Sequence, residues 1–156
     1  MKYRTELPSV EQLQNLFTYE NGKLFWKVKP NRNIVIGNEA GCIKSDGYVD
    51  IKINGKHYKA HRLIWKMLKG EEPPKYIDHI NQNKLDNNIE NLREVTSSQN
   101  SLNNKAKGCC FHKTSGKWVA YIGINKKIIY LGIFNTEAEA TAVYKNYKTV
   151  YTGEAF

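Results

Sequence analysis

The chain has 156 residues, with 24 Lys and Arg against 15 Asp and Glu, a net charge of +9 and 40% hydrophobic residues. That length allows one domain or two small ones, and the apolar content supplies modest cores instead of one large one. Such an excess of positive charge points to a polyanionic partner, because Lys and Arg on phosphates release condensed counterions, and no apolar run is long enough to span a bilayer.

Taken in order, Ser9 to Gln12 forms a capping box opening a helix with Leu13, Leu16 and Phe17 on its apolar side. Asn21-Gly22 turns into a strand over 23–28, followed by a loop to Gly41. The run 48–53 alternates and meets 56–60 across Asn54-Gly55, a strong hairpin signal. Residues 60–69 read as a helix closed by Gly70, with Leu63, Ile64, Met67 and Leu68 on one side, and Pro73-Pro74 bars any continuation. Two short strand-like pieces lie within 75–95 around an Asn-rich loop. Thr96 to Gln99 is a second capping box, predicting a helix from about Ser97. Residues 103–108 are polar and small, a candidate linker. Strands are expected near 109–113, 117–124 and 127–133, then a third capping box, Thr136 to Glu139, opens a helix to about Tyr147.

The charge is uneven. Residues 1–60 hold 10 Lys and Arg against 6 Asp and Glu, residues 61–101 hold 6 against 6, and residues 102–156 hold 8 against 3. A neutral middle lies between two basic arms. The three cysteines, Cys42, Cys109 and Cys110, form no C-x-x-C pair, which speaks against structural zinc of the common spacing. Their odd number and the lack of a leader pattern at the N-terminus lead us to expect a reducing cytoplasm.

The neutral segment carries the chemistry. His79 can take a proton from water near neutral pH, since imidazole titrates at about 6.5. Asp78, its neighbour in a strand, points to the opposite face, so one residue can bind metal while the other addresses the nucleophile. Asn100 offers a carbonyl oxygen as a second ligand for a hard cation, and two protein ligands leave room for water and a phosphate oxygen. Asn91 can accept from the other ring nitrogen of His79 and fix its tautomer. Asn81, Asn83, Asn87 and Asn88 read as turn formers, because Asn tolerates left-handed backbone and bonds its own chain.

His61-Arg62-Leu63-Ile64-Trp65, Ile77-Asp78-His79-Ile80-Asn81, Asn83-Lys84, Asn88, Asn91-Leu92-Arg93, Thr96 and Gln99-Asn100 together resemble the HNH endonuclease family. The similarity is to the phage and intron-encoded (homing-type) branch whose third letter is Asn, and it covers about residues 58–104. It implies a ββα-metal fold in which His79 is the general base and Asn91 orients it. Asp78 and Asn100 would hold one divalent ion, most simply Mg²⁺ with Mn²⁺ as a substitute, and the products would carry 5′-phosphate and 3′-hydroxyl ends. Asn81-Gln82-Asn83 departs from the family's usual Asp or Asn followed by Gly. Arg62 and Arg93 are candidates for DNA phosphates, and His61 reads as helix-start packing or a backbone hydrogen bond.

The C-terminal arm resembles an AP2-type DNA-binding domain through Gly108 to His112, Ser115 to Ile122, Tyr130 to Phe134, and Thr136 to Ala140 with Ala142. The resemblance implies a three-stranded sheet on one helix, with a sheet face laid into a DNA major groove. Ala138 and Ala142 are spaced to let the helix approach the sheet, and Leu131, Ile133 and Phe134 are expected in the core. Lys113, Lys117, Lys126 and Lys127 are candidates for phosphate contact; Trp118 and Tyr121 either pack or meet DNA. Arginine, the usual reader of guanine, is absent from residues 94–156. Residues 1–60 resemble, through Leu24 to Lys27, Gly47-Tyr48 and Asn54 to Lys56, a module that precedes this nuclease motif in phage enzymes. It would add support and phosphate contacts from Lys27, Lys29 and Arg32.

The expectation is an α+β protein: an N-terminal supporting module over 1–57, a nuclease core over 58–104 and an AP2-like domain over 108–156. It would act as a metal-dependent endonuclease on double-stranded DNA, without a membrane partner; the sequence leaves the oligomeric state open, a monomer being the simpler expectation. The alternative is a DNA-binding protein that does not cut.

Overall fold

A computed structural model describes residues 6–102, 108–125 and 127–152. The elements are α1 (Val10–Leu16), β1 (Phe17–Glu20), β2 (Lys23–Trp26), β3 (Cys42–Ile43), β4 (Val49–Ile53), β5 (Lys56–Lys59), α2 (Ala60–Lys69), β6 (Ile77–His79), a 3₁₀ turn (Ile89–Asn91), β7 (Leu92–Glu94), α3 (Ser97–Leu102), β8 (Cys109–His112), β9 (Lys117–Ile124), β10 (Lys127–Phe134) and α4 (Glu137–Thr152). The protein is α+β, with four small antiparallel sheets among the described residues. Contacts gather it into two units, Met1–Glu94 and Val95–Phe156.

In the first unit the Ser9 hydroxyl accepts from the Gln12 amide at 3.1 Å, and the Gln12 side chain accepts from the Ser9 amide at 2.9 Å. This closes the first turn of α1 from both sides. Phe17, expected on that helix, instead opens β1, where it is buried and packs on Trp26 with ring centroids 4.6 Å apart. The β4–β5 hairpin turns at Asn54-Gly55, with Ile53 opposite Lys56. Both turn residues have positive φ, which is the backbone a two-residue hairpin needs. Gly70 ends α2 in the left-handed region, its amide bonded to the Lys66 carbonyl at 3.0 Å. Leu63 and Ile64 are fully buried, whereas Leu68 faces solvent and Trp65 takes a place in the core. One apolar cluster joins Leu13, Phe17, Leu24 and Trp26 to Ile51, Leu63, Ile64, Ile77 and Leu92. The first 57 residues therefore share a core with the segment that carries Asp78 and His79.

The second unit holds α3 and a sheet in the order β10-β9-β8, with α4 packed on it. Thr96 caps α3: its hydroxyl accepts from the Gln99 amide, and Gln99 returns the bond to the Thr96 amide. Thr136 and Glu139 do the same for α4, which runs to Thr152. Two expectations about this unit fail. The stripe of α4 that is buried is Ala140, Tyr144 and Lys148, while Ala138 and Ala142 are exposed. The two stripes are offset by two residues, about 200° around a helix, and the one bearing the Tyr144 ring buries more apolar surface. Ile133 is also outside. A β-bulge between Tyr130 and Gly132 inverts the alternation, so Ile133 pairs with Val119 on the face away from α4. The linker expected over 103–108 lies outside the described residues except for Gly108. No described helix is long and apolar enough to cross a membrane.

Candidate active site

β6 and β7 pair antiparallel with Asp78 opposite Arg93 and His79 opposite Leu92. The loop between them is built from asparagine and aspartate bonds. Asn81 Oδ1 accepts from the Asn83 amide at 2.9 Å, and Asn83 Oδ1 from the Leu85 amide at 3.1 Å. Asn81 Nδ2 donates to Asp86 Oδ2 at 2.7 Å. The Asn88 side chain donates to Asp86 Oδ1 at 2.8 Å, and this bond holds the Asp86 carboxyl below its usual range. The residue type that tolerates turns here also satisfies the loop's backbone.

Asn91 closes this loop. Its Oδ1 accepts from the Asn81 amide at 3.0 Å, while Nδ2 donates to Asn81 Oδ1 at 3.0 Å and to the Asp86 carbonyl at 2.7 Å. The carboxamide that meets the His79 ring belongs to Asn87. Asn87 Oδ1 lies 3.0 Å from His79 Nε2, and both residues are buried. Asn87, assigned to turn chemistry from its sequence context, is the position that sequence reasoning missed. Its amide nitrogen donates to the Leu85 carbonyl at 3.4 Å, which turns the oxygen toward the ring. An amide oxygen can only accept, so the neutral ring carries its proton on Nε2 and the lone pair on Nδ1.

The loop is braced from the other side of the same core. Gly22, in the β1–β2 turn at φ 77°, packs so closely on the Asn87-Asn88 backbone that a Cβ there would lie 2.7 Å from the Asn88 nitrogen. The Tyr19 hydroxyl accepts from the Ile89 amide at 3.3 Å.

Three rings surround the base. His61 meets His79 edge-on at 5.4 Å, and Tyr48 lies 5.2 Å from His61 and 5.9 Å from His79. Burial, with smaller contributions from the neighbouring charges of His79, Arg62 and Lys59, pushes the His61 imidazole down to about 3. It is uncharged at neutral pH and places no cation against His79. Lys84 and Lys59 sit on the Tyr48 ring, 4.6 and 5.5 Å from its centre. From sequence, Lys84 appeared only within Asn83-Lys84 and Tyr48 only within Gly47-Tyr48, neither with a role at the site, and Lys59 was not singled out.

Asp78 Oδ2 takes both the Arg93 Nη2, at 2.9 Å, and Nε, at 3.2 Å. Arg62 donates to the carbonyls of Pro74 and Pro73, at 2.9 and 3.2 Å. Both guanidiniums, candidates for phosphate, hold the protein's own chain. Asn100 is exposed in α3 of the second unit, its amide bonded to the Thr96 carbonyl. Lys113, Lys117 and Lys127 are exposed and Lys126 lies outside the described residues. Trp118 is on the α4 side of the sheet, packed on Phe111 at 5.5 Å, whereas Tyr121 is on the open side. Among the described residues no three His, Cys, Asp or Glu side chains gather as a metal site. The carboxylate of Asp78 and the carboxamide of Asn100 are nonetheless hard oxygen donors of the kind Mg²⁺ accepts with water and phosphate completing its shell.

Residues 58–102, which contain this hairpin, match the model of the HNH endonuclease family. A stretch of 57 residues is 37% identical to a protein of Bacillus subtilis (strain 168) named "SPbeta prophage-derived putative HNH homing endonuclease YosQ". The match takes in 36% of this chain and spans about a third (33%) of that relative's length. No solved structure matches the chain. Over residues 58–102, then, the chain is similar to the HNH endonuclease family.

Proposed function

We propose that the chain is a metal-dependent endonuclease of phage or homing type acting on double-stranded DNA. The observation that carries this reading is the buried Asn87–His79 contact within the family-matched segment. It presents an imidazole whose Nδ1 holds the lone pair on a rigid two-stranded scaffold, as a general base requires. His79 Nδ1 takes a proton from water as that oxygen bonds to phosphorus; the P–O3′ bond of the DNA strand breaks, leaving a 5′-phosphate and a 3′ oxygen that takes a proton from solvent. Asp78 and Asn100 would hold a divalent cation, which when bound supplies positive charge to the scissile phosphate and leaving oxygen. Asn87, His61 and Tyr48 hold the imidazole; Asn91 holds the loop that carries Asn87. The sheet of the second unit acts as an AP2-like grip, with Lys113, Lys117 and Lys127 toward phosphates.

The test is cleavage of supercoiled plasmid by the wild-type chain and by His79→Ala, with Mg²⁺ or Mn²⁺ and with EDTA. Metal-dependent nicking or linearisation that is lost in the variant, with DNA binding retained, is the expected result. Equal loss of cutting and binding in the variant would remove His79 as the base. Binding without any cutting would leave a DNA-binding protein.

A further inference from the structure

The outer face of the second unit's sheet is apolar at its centre, and none of its three strands carries an aspartate or glutamate. Strand register puts Val119, Tyr121 and Gly123 of β9 on one face with Ile133, Tyr130 and Ile128 of β10 opposite them. The other face, bearing Ala120, Ile122 and Ile124, is buried under α4. On the open face Ile128 is 78% exposed, Tyr130 63%, Ile133 45% and Tyr121 40%. Exposed apolar side chains gathered on one face of so small a unit mark a contact surface. A Cβ on Gly123 would meet nothing within 4 Å, so the turn end of the face beside Ile128 is open.

Charge identifies the occupant. Residues 95–136 contain six lysines and neither an aspartate nor a glutamate. Lys117 lies on this face opposite His112, and Lys113 in the turn that follows His112 is exposed, whereas Lys127, opposite Ile124, belongs to the α4 side. An apolar centre on strands that carry lysine and no acid suits a polyanion that offers apolar groups between two rows of charge. The DNA major groove does so: phosphates line its walls, and thymine 5-methyl groups project from its floor. Three strands about 4.8 Å apart span roughly 10 Å, within a groove about 12 Å wide. No arginine, the usual reader of guanine, is present in residues 94–156.

We infer that this face discriminates bases by packing Ile128, Tyr130, Tyr121 and Ile133 against major-groove 5-methyl groups, so that the chain prefers thymine-containing DNA. This rests on the proposed DNA-binding role and adds to it the chemical feature that is read.

The experiment measures binding of the full chain, in EDTA to prevent cutting, to equal lengths of poly(dA-dT), poly(dA-dU), poly(dG-dC) and poly(dG-dC) with 5-methylcytosine. Each methyl group buried is worth about fourfold in affinity. Deoxyuridine should therefore weaken binding about tenfold or more where two methyl groups are lost, and cytosine methylation should strengthen it. Ile128→Ala and Tyr130→Ala, at exposed positions that leave the core intact, should bring the thymine-to-uracil ratio toward one without changing the salt dependence. Salt-sensitive binding that is blind to the methyl group would overturn the inference and leave the DNA-binding role standing. A ratio that the variants do not move would place methyl reading elsewhere and also overturn it. Failure to bind any duplex would overturn both. A dimer in sedimentation that Ile128→Ala dissociates would assign the face to a second copy instead.

Discussion

His79 Nε2 and Asn87 Oδ1 lie 3.0 Å apart in the buried heart of the β6–β7 loop. The contact fixes which ring nitrogen carries the proton and which can receive one. Asn87→Ala should lower the cleavage rate about tenfold or more, a part of the roughly 10²–10⁴-fold that a general base contributes, with DNA affinity unchanged. Asn87→Asp keeps an acceptor for Nε2 and should retain more activity. Single-turnover cleavage and binding isotherms separate the two effects, and equal loss in both variants would show that the contact is structural only.

Gly22 lies 65 residues before Asn87 in sequence, yet its Cα abuts the Asn87-Asn88 backbone. Gly22→Ala adds a methyl group 2.7 Å from a backbone nitrogen and forces an L side chain to φ 77°. The expected cost is about 1–3 kcal/mol of stability, with reduced cleavage because the Asn87 loop must shift. Denaturant unfolding measures the first and plasmid cleavage the second. Wild-type activity in this variant would detach the β1–β2 turn from the site.

His61 gives the protein a defined acid sensitivity. The folded state keeps its imidazole neutral down to about pH 3, whereas the unfolded chain charges it below about 6.5. Between those values the unfolded state binds the extra proton, so stability falls as pH is lowered. From pH 7.5 to 5 the loss from this group should be about 2 kcal/mol. Urea midpoints of wild type and His61→Phe at the two pH values test this: the variant should lose less stability on acidification.

Salt dependence should sort the cations by what they already hold. Arg62 is bound to the Pro73 and Pro74 carbonyls and Arg93 to Asp78, while Lys113, Lys117 and Lys127 are exposed. Replacing the three lysines with Ala should reduce the slope of log affinity against log salt by about 2–3. Arg62→Ala should instead lower the melting temperature and leave the slope intact. A slope that falls with Arg62→Ala would show that its guanidinium leaves the prolines for a phosphate.

The sequence by itself determined whatever depends on near neighbours in the chain. Ser9–Gln12, Thr96–Gln99 and Thr136–Glu139 cap helices through bonds spanning three residues, and Asn54-Gly55 needs only its own backbone preference to turn a hairpin. Asp78, His79, Asn91 and Asn100 stood out in the sequence because their spacing in one short segment is unusual, although Asn91 bonds Asn81 and Asp86 and not His79. The tertiary structure alone decided which asparagine reaches His79, because Asn87 and Asn91 are the same side chain in the same loop and differ only in where the folded loop points them. It also decided that Gly22 and Tyr19 brace that loop, and that Trp118 and Tyr121 lie on opposite faces. A single inserted residue at the Tyr130–Gly132 bulge sent Ile133 outward, and the Tyr144 ring chose the buried stripe of α4. Each of these outcomes rests on packing between residues far apart in sequence, where the competing local preferences are nearly equal and burial breaks the tie.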